Sequence, residues 1–408
     1  MNTSRDFINE TRPLLYNKYN HKLRYFWKFL IVMSTYYVLP SLQFVFFQAH
    51  DSNVVCYYNE KCKYDLIGIP AFNNVISNIC YIVLGLVFIF YVKYKTKSIE
   101  DTSDITDTDS MDTIIEDNYG VYSYTSLYYS LGVVLSLEGI FSGIYHICPS
   151  KLNFQFDTTF MFIGSCLMIL VLYSKRHPLR LPSAFNMYLF LSLVVLFNIL
   201  PLSGISNGGE AWFWSIIYLL VIYFMIVVTF NVYYGTELKI NMNVINNIRV
   251  SGNIVSHLRP KDLPKFIVLL LSNISSLTMI VLASYYKTKF TEWMLGVFII
   301  NLIIYFVFYI INKLINNERI NVNMWIILFI DLCLFTTSLI YFEIAVTDKM
   351  LSPSQSRKLN KPCIFLDYID YHDMWHIFSS ISVFLFMYIV YNIDNNLRYT
   401  VISDIKIF

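Results

Sequence analysis

Ten separate stretches of this 408-residue chain are apolar for about the length a helix needs to cross a bilayer, roughly 20 residues. They fall near 25–48, 71–94, 122–146, 153–173, 183–202, 211–234, 264–286, 292–314, 324–345 and 372–393. In hydrocarbon the backbone must satisfy its own hydrogen bonds, which a helix does. The pattern therefore predicts an all-α, polytopic integral membrane protein with about ten transmembrane helices. Composition agrees: 56% of residues are hydrophobic and 14% charged, against about 25% charged in soluble domains. Mean hydropathy is +0.52. There is no basic, aromatic-rich soluble segment of the kind that binds nucleic acid, and no internal repeat.

The expected organisation is a cytosolic N-terminal segment (1–24), a helical bundle (25–393) and a cytosolic tail (394–408). Residues 1–24 are polar, with Arg5, Arg12, Lys18, Lys22 and Arg24, and lack a short apolar core before small residues. The first hydrophobic segment is thus expected to be an uncleaved anchor. With the N-terminus in the cytosol, 21 of the 30 lysines and arginines fall on the cytosolic side, so the positive-inside rule places both termini there. Within the bundle, "SIEDTSDITDTDSMDTIIED" (98–117) carries eight carboxylates and no base. It reads as a disordered cytosolic linker, either a solvated spacer or a phosphorylation target.

Cys80, Cys166 and Cys333 fall inside helices, whereas Cys56, Cys62, Cys148 and Cys363 fall in loops that this topology assigns to the lumenal or extracellular side. Disulfides persist in such oxidising compartments. The expected pairs are Cys56–Cys62 and Cys148–Cys363; four reduced loop cysteines are the alternative, since spacing alone does not determine connectivity.

The stretch "FSGIYHICPSKLNFQFDTTF" (141–160) is unlike its apolar surroundings. Glu138, Ser142 and His146 share one face of the third helix at i, i+4 and i+8. His372 and His376 repeat the i, i+4 spacing at the start of the tenth, and two histidines a turn apart can hold one ion from a single helix face. Asp157 lies about one turn into the fourth helix. On the expected topology His146, Asp157, His372 and His376 all reach the same, non-cytosolic side. Ionisable groups in a membrane are costly unless paired or functional. Imidazole nitrogen suits zinc, and three histidines leave a fourth position open, as in catalytic sites. The expected metal is Zn2+, held by His146, His372, His376 and Asp157. Asp157 and Ser142 are the candidate catalytic residues, the first to orient or deprotonate water, the second to hydrogen-bond water or a developing oxyanion.

Plainer roles exist for each residue. His146 alone suits an interfacial histidine, and Asp157 suits a helix cap after Asn153. Ser142 suits a small packing residue beside Gly139 and Gly143. The pair His372 and His376 is harder to set aside, because the chain has only seven histidines. Asp331, in the ninth helix, has no partner that spacing identifies. Tyrosine–basic patterns at Leu14-x-Tyr16-x-Lys18 and Val171-x-Tyr173-x-Lys175 fit a proposed cholesterol motif, which recurs readily in a chain with 33 tyrosines.

"FSGIYHICPSKLNFQFDTTFM", "RHP" (176–178), "CYYNEKC" (56–62), "AFNNVISNICYIVLG" (71–85) and "FLDYIDYHDMWHIFSS" (365–380) resemble the transmembrane portion of the systemic RNA interference defective (SID) transmembrane family, also described as cholesterol uptake proteins. The resemblance runs from "RYFW" (24–27) to Phe408. That family sits in a superfamily of membrane metal hydrolases with alkaline ceramidases and progestin/adiponectin receptors. Its pattern of a serine, a histidine, an aspartate and a late histidine pair maps onto Ser142, His146, Asp157, His372 and His376. The resemblance implies transport of double-stranded RNA, cholesterol binding, contact with membrane lipids, a homodimer, and residence in the plasma or a lysosomal membrane. Members usually carry a β-sandwich ectodomain, a further helix and a long cytosolic linker ahead of this region. That ectodomain is held to contribute nucleic-acid binding, so an RNA role is the less supported without it. Three readings follow: an RNA or sterol transporter, a zinc-dependent hydrolase of lipid amides or esters, and a scaffold in which zinc only pins helices together.

Overall fold

In a computed structural model, the described residues are 23–106, 119–121, 124–177, 184–199, 210–229, 263–286 and 290–408. All regular structure among them is helical, with isolated bridges in place of strands. The helices are α1 (Phe26–His50), short α2 (Phe72–Ile76), α3 (Ile79–Thr106), α4 (Thr125–Ile147), α5 (Phe154–Arg176), α6 (Ala184–Ile199), α7 (Glu210–Val228), α8 (Leu263–Tyr286), α9 (Phe290–Ile315), α10 (Val322–Glu343), short α11 (Pro353–Arg357) and α12 (Tyr371–Asn392).

The ten expected windows each contain a helix, but among the described residues eight are long and apolar enough to cross a membrane. The windows at 183–202 and 211–234 hold α6 and α7, each of which runs up to residues outside those described. The acidic segment is helical where it is described. α3 continues to Thr106, well past Ser98, where a disordered linker is expected to begin. Once a membrane-anchored helix exists, adding a turn needs no new nucleus. Residues 107–117 of that segment lie outside the described residues.

α4 is the hub, packing against α1, α3 and α5. Its central window is 89% buried, against 11% and 17% for α10 and α9, which present their apolar flanks outward. Such outward apolar faces are what a helix in contact with lipid requires. α12 packs against α10 and α3, and α9 against α5 and α8. The α3–α4 approach depends on glycines: a Cβ added at Gly85 would lie 2.6 Å from the Gly132 carbonyl, and one at Gly132 would lie 2.8 Å from the Gly85 carbonyl. Small residues of this kind let membrane helices come into backbone contact.

At one end of the bundle the loops 51–71, 148–153 and 344–370 form a cap. Tyr57 N–H donates to the Pro149 carbonyl (2.7 Å), and Asn360 Nδ2 donates to the Val346 carbonyl (2.8 Å). Tyr64 hydroxyl donates to the Asp367 carbonyl. All four loop cysteines are oxidised in this cap, but the pairs are Cys56–Cys148 and Cys62–Cys363, not the expected Cys56–Cys62 and Cys148–Cys363. Of the expected pairs, only Cys56–Cys62 joins chain neighbours. The folded cap instead sets Cys56 beside the end of α4 and Cys62 beside the segment leading into α12.

At the opposite end, residues after α12 fold back in 3-10 turns at Asn395–Leu397 and Ile402–Asp404. They close over a buried ionic cluster. Asp394 receives Lys175 (3.1 Å), Arg176 (2.9 Å) and Lys313 (2.8 Å), while Glu318 receives Arg176 (2.7 Å) and Lys313 (3.1 Å). The Arg176 guanidinium also stacks on Phe408 at 4.4 Å.

Candidate metal centre

His146 is the penultimate residue of α4, Asp157 is the fourth of α5, and His372 and His376 occupy the first two turns of α12. The start of α12 is held rigidly. Asp370 accepts from the backbone N–H of His372 (2.8 Å) and Asp373 (3.0 Å), and Asp373 accepts in turn from the Asp370 N–H (3.0 Å), completing a capping box. Amides from the first part of the chain seize both carboxylates: Asn59 Nδ2 donates to Asp370 (3.0 Å), and Asn74 and Asn73 donate to Asp373 (2.9 and 3.3 Å). These contacts fix the rotation of α12 about its axis, and with it the face on which His372 and His376 stand.

The three imidazoles converge. Ring centroids lie 5.0 Å apart for His146–His372, 5.0 Å for His146–His376 and 4.5 Å for His372–His376. One nitrogen from each ring can be chosen so that all three lie within 4.8 Å of one another. The Nε2 atoms of His146, His372 and His376 are buried with no hydrogen-bond partner in the protein. A buried polar atom without a partner costs about 1–3 kcal/mol, so three gathered in one place require an explanation.

Ser142 and Asp157 are both buried, and the serine hydroxyl donates to Asp157 Oδ1 at 2.6 Å. This bond distinguishes Ser142 from a mere spacer between helices. Asp157 does not stand at the cap position either: Asn153 is the N-cap of α5, and the Asp157 carboxylate, one turn inside the helix, accepts from Ser142. The converging set among the described residues is three imidazoles, with Asp157 tied to Ser142. Glu138, one turn deeper on α4, is buried with Oε2 unpartnered. From the cap, Lys349 sets its ammonium 2.9 Å above the Phe154 ring and 3.4 Å from the Tyr145 hydroxyl.

The cap closes directly over this site. Tyr58 hydroxyl donates to the Ile147 carbonyl at 2.7 Å, next to His146. Burial, then the Glu60 and Asp65 carboxylates, hold the Tyr58 phenol well above its ordinary pKa, so it remains a donor. Cys148, two residues beyond His146, is pinned to Cys56.

Asn59, Asn73, Asn74, Ser77, Asp370 and Asp373, none of them a candidate by spacing, are all buried around this centre. A signal was present: "FNNVISN" places four polar side chains in an otherwise apolar window, and "DYIDYHD" brackets the first histidine of the pair with acids. Of the tyrosine–basic patterns, the one at Val171, Tyr173 and Lys175 does not face lipid, since Val171 is buried and Lys175 is paired internally with Asp394. The one at Leu14, Tyr16 and Lys18 lies outside the described residues.

Comparison with known proteins adds a separate line of information. A family model described as "dsRNA-gated channel SID-1" matches residues 2–408. The chain is 29% identical to SID1 transmembrane family member 1 of Homo sapiens over 413 residues, covering 99% of this chain and 48% of that protein. It is 31% identical to Cholesterol uptake protein 1 of Caenorhabditis elegans over 358 residues, covering 86% of this chain and 46% of that protein. The chain thus spans about half the length of the curated relatives it matches.

Proposed function

The chain belongs to the SID-1 RNA channel family, and on that premise we propose that it is a multi-pass membrane protein of double-stranded RNA or cholesterol uptake built around a zinc centre at His146, His372 and His376. The observation that carries the zinc reading is the meeting of three unpartnered, buried imidazole nitrogens from two helices more than 200 residues apart in sequence. Neutral imidazole is the commonest metal ligand among side chains and suits zinc, so His146, His372 and His376 would hold the ion. When bound, zinc supplies Lewis acidity to a carbonyl or a water molecule.

The protein's own groups suggest a second reading, hydrolysis of a lipid amide or ester. Ser142 and Asp157 form a buried hydrogen-bonded pair on the helices that flank the imidazoles. Asp157 accepts the hydrogen bond of the serine hydroxyl, which leaves the serine oxygen's lone pairs free to receive a donor from water or a substrate. Lys349, from the cap, stands beside Tyr145 and Phe154 on the same two helices. The third reading, a zinc that only pins helices, places the same ion in a site with no turnover.

One set of measurements separates these. Purified protein is expected to carry about one zinc per chain by elemental analysis, and His376→Ala to lose it. Uptake of labelled double-stranded RNA and of labelled sterol is measured in cells expressing wild type or His376→Ala. Unchanged uptake in cells lacking the protein counts against the transport reading. Release of fatty acid from ceramides or phospholipids that disappears in Ser142→Ala, with the metal retained, selects the hydrolase reading. Absence of zinc in the wild type sinks the metal centre altogether.

A further inference from the structure

Ser77 is the C-cap of the short helix α2, and its hydroxyl lies 2.8 Å from His376 Nδ1. A serine hydroxyl has one proton to give and lone pairs to receive with. Here the proton is already committed, because Ser77 Oγ donates to the Asn74 carbonyl at 2.9 Å, with the Asp373 carboxylate also within its reach. The Asn74 carbonyl can only accept. With the serine proton so placed, the bond between Ser77 and His376 runs from Nδ1–H of the imidazole to the serine oxygen. With its single proton on Nδ1, the neutral ring presents Nε2 as a bare lone pair, and His376 Nε2 is one of the three unpartnered nitrogens of the cluster.

We propose that Ser77 is a positioning residue of the histidine centre, holding His376 in the tautomer and orientation that offer Nε2 to a metal. The assignment rests on the reading of His146, His372 and His376 as a zinc site. Ligand histidines are commonly oriented by a group that accepts their second N–H. Here that group belongs to neither helix that carries the ligands. It is delivered from α2 and anchored through Asn74, whose amide binds Asp373 at 2.9 Å, one residue after His372. Ser77, Asn74 and Asp373 thereby join the two histidines of α12 to the first part of the chain.

The test uses the full chain, purified in nanodiscs, stripped of metal and titrated with zinc against a chromophoric chelator. Ser77→Ala is expected to weaken zinc affinity by 10-fold or more, within the 10–100-fold range typical of such supporting groups. Ser77→Thr, which keeps the hydroxyl, is expected to restore most of it. Melting of the metal-stripped proteins provides the structural control, and wild type and Ser77→Ala should melt alike without metal and differ with it. Cobalt substitution adds a spectroscopic signature, with the tetrahedral ligand-field bands perturbed in Ser77→Ala. Unchanged zinc affinity in Ser77→Ala overturns the role of Ser77 while leaving the zinc centre standing. Equal loss of stability in the metal-free and zinc-bound forms reduces Ser77 to a structural residue and also overturns it. A wild type that binds no zinc removes the centre itself, and this inference with it.

Discussion

Single side chains in this protein are set by the cost of leaving a polar group without a partner in an apolar bundle. Asp331 is the plainest case. Local sequence offers it no partner, yet in the folded chain Ser382 on α12 donates to it at 2.7 Å, tying α10 to α12. Hydrogen bonds between membrane helices contribute about 0.6 kcal/mol on average and up to about 1.7. Ser382→Ala is therefore expected to lower stability by about 1 kcal/mol, and a double-mutant cycle with Asp331→Leu, which removes the acceptor, should recover most of that as coupling. The charged cluster at the other end is more sensitive. Arg176 has no exposed side-chain surface and serves both Glu318 and Asp394. Removing one member of a buried ion pair costs about 3–5 kcal/mol, because the remaining charge stays buried. Arg176→Ala should accordingly melt far below wild type in detergent, or fail to accumulate; a melting temperature within a degree or two of wild type would show the cluster to be solvated.

Among the elements, α4 carries the greatest constraint, since it is buried on nearly every side and holds both Ser142 and His146. Its register against α3 is set where Gly85 and Gly132 bring backbone against backbone. Gly132→Leu has no room to be absorbed: the added Cβ would already meet the Gly85 carbonyl at 2.8 Å and the Ile89 side chain at 2.6 Å. We expect this substitution to disperse the monodisperse peak in fluorescence-detected size exclusion and to abolish zinc binding, by shifting His146 relative to α12. Substitution of a lipid-facing residue on α10 such as Phe329, which is 67% exposed, to Leu should leave both measurements unchanged. Helix identity was largely legible from hydropathy, because a bilayer accepts few alternatives to a long apolar helix. The rotation of each helix was not, since most of these segments are apolar on all faces and their sequence does not point to a neighbour.

For the whole molecule, the two disulfides join segments 92 and 301 residues apart and so close the cap over the histidines. The pairing makes a sharp prediction. Cys56→Ser should leave Cys148 free, so that alkylation and peptide mapping under non-reducing conditions label Cys148 and leave Cys62 protected; a free Cys62 would restore the local pairing expected from chain proximity. The histidines were legible because i, i+4 spacing and the scarcity of ionisable residues in apolar segments are local facts. Their supports, Ser77, Asn74 and Asn59, were not, because a lone serine or asparagine in a helix has many roles and only its neighbours choose among them. Hydropathy and spacing belong to short stretches of chain, and they were enough to establish a helical membrane bundle and to nominate three imidazoles for one ion. Which cysteine meets which, which hydroxyl orients His376, and what Asp331 binds depend on packing between segments as much as 300 residues apart. Those choices exist only once the helices have docked, because the energy that selects them is the cost of burying a polar group alone.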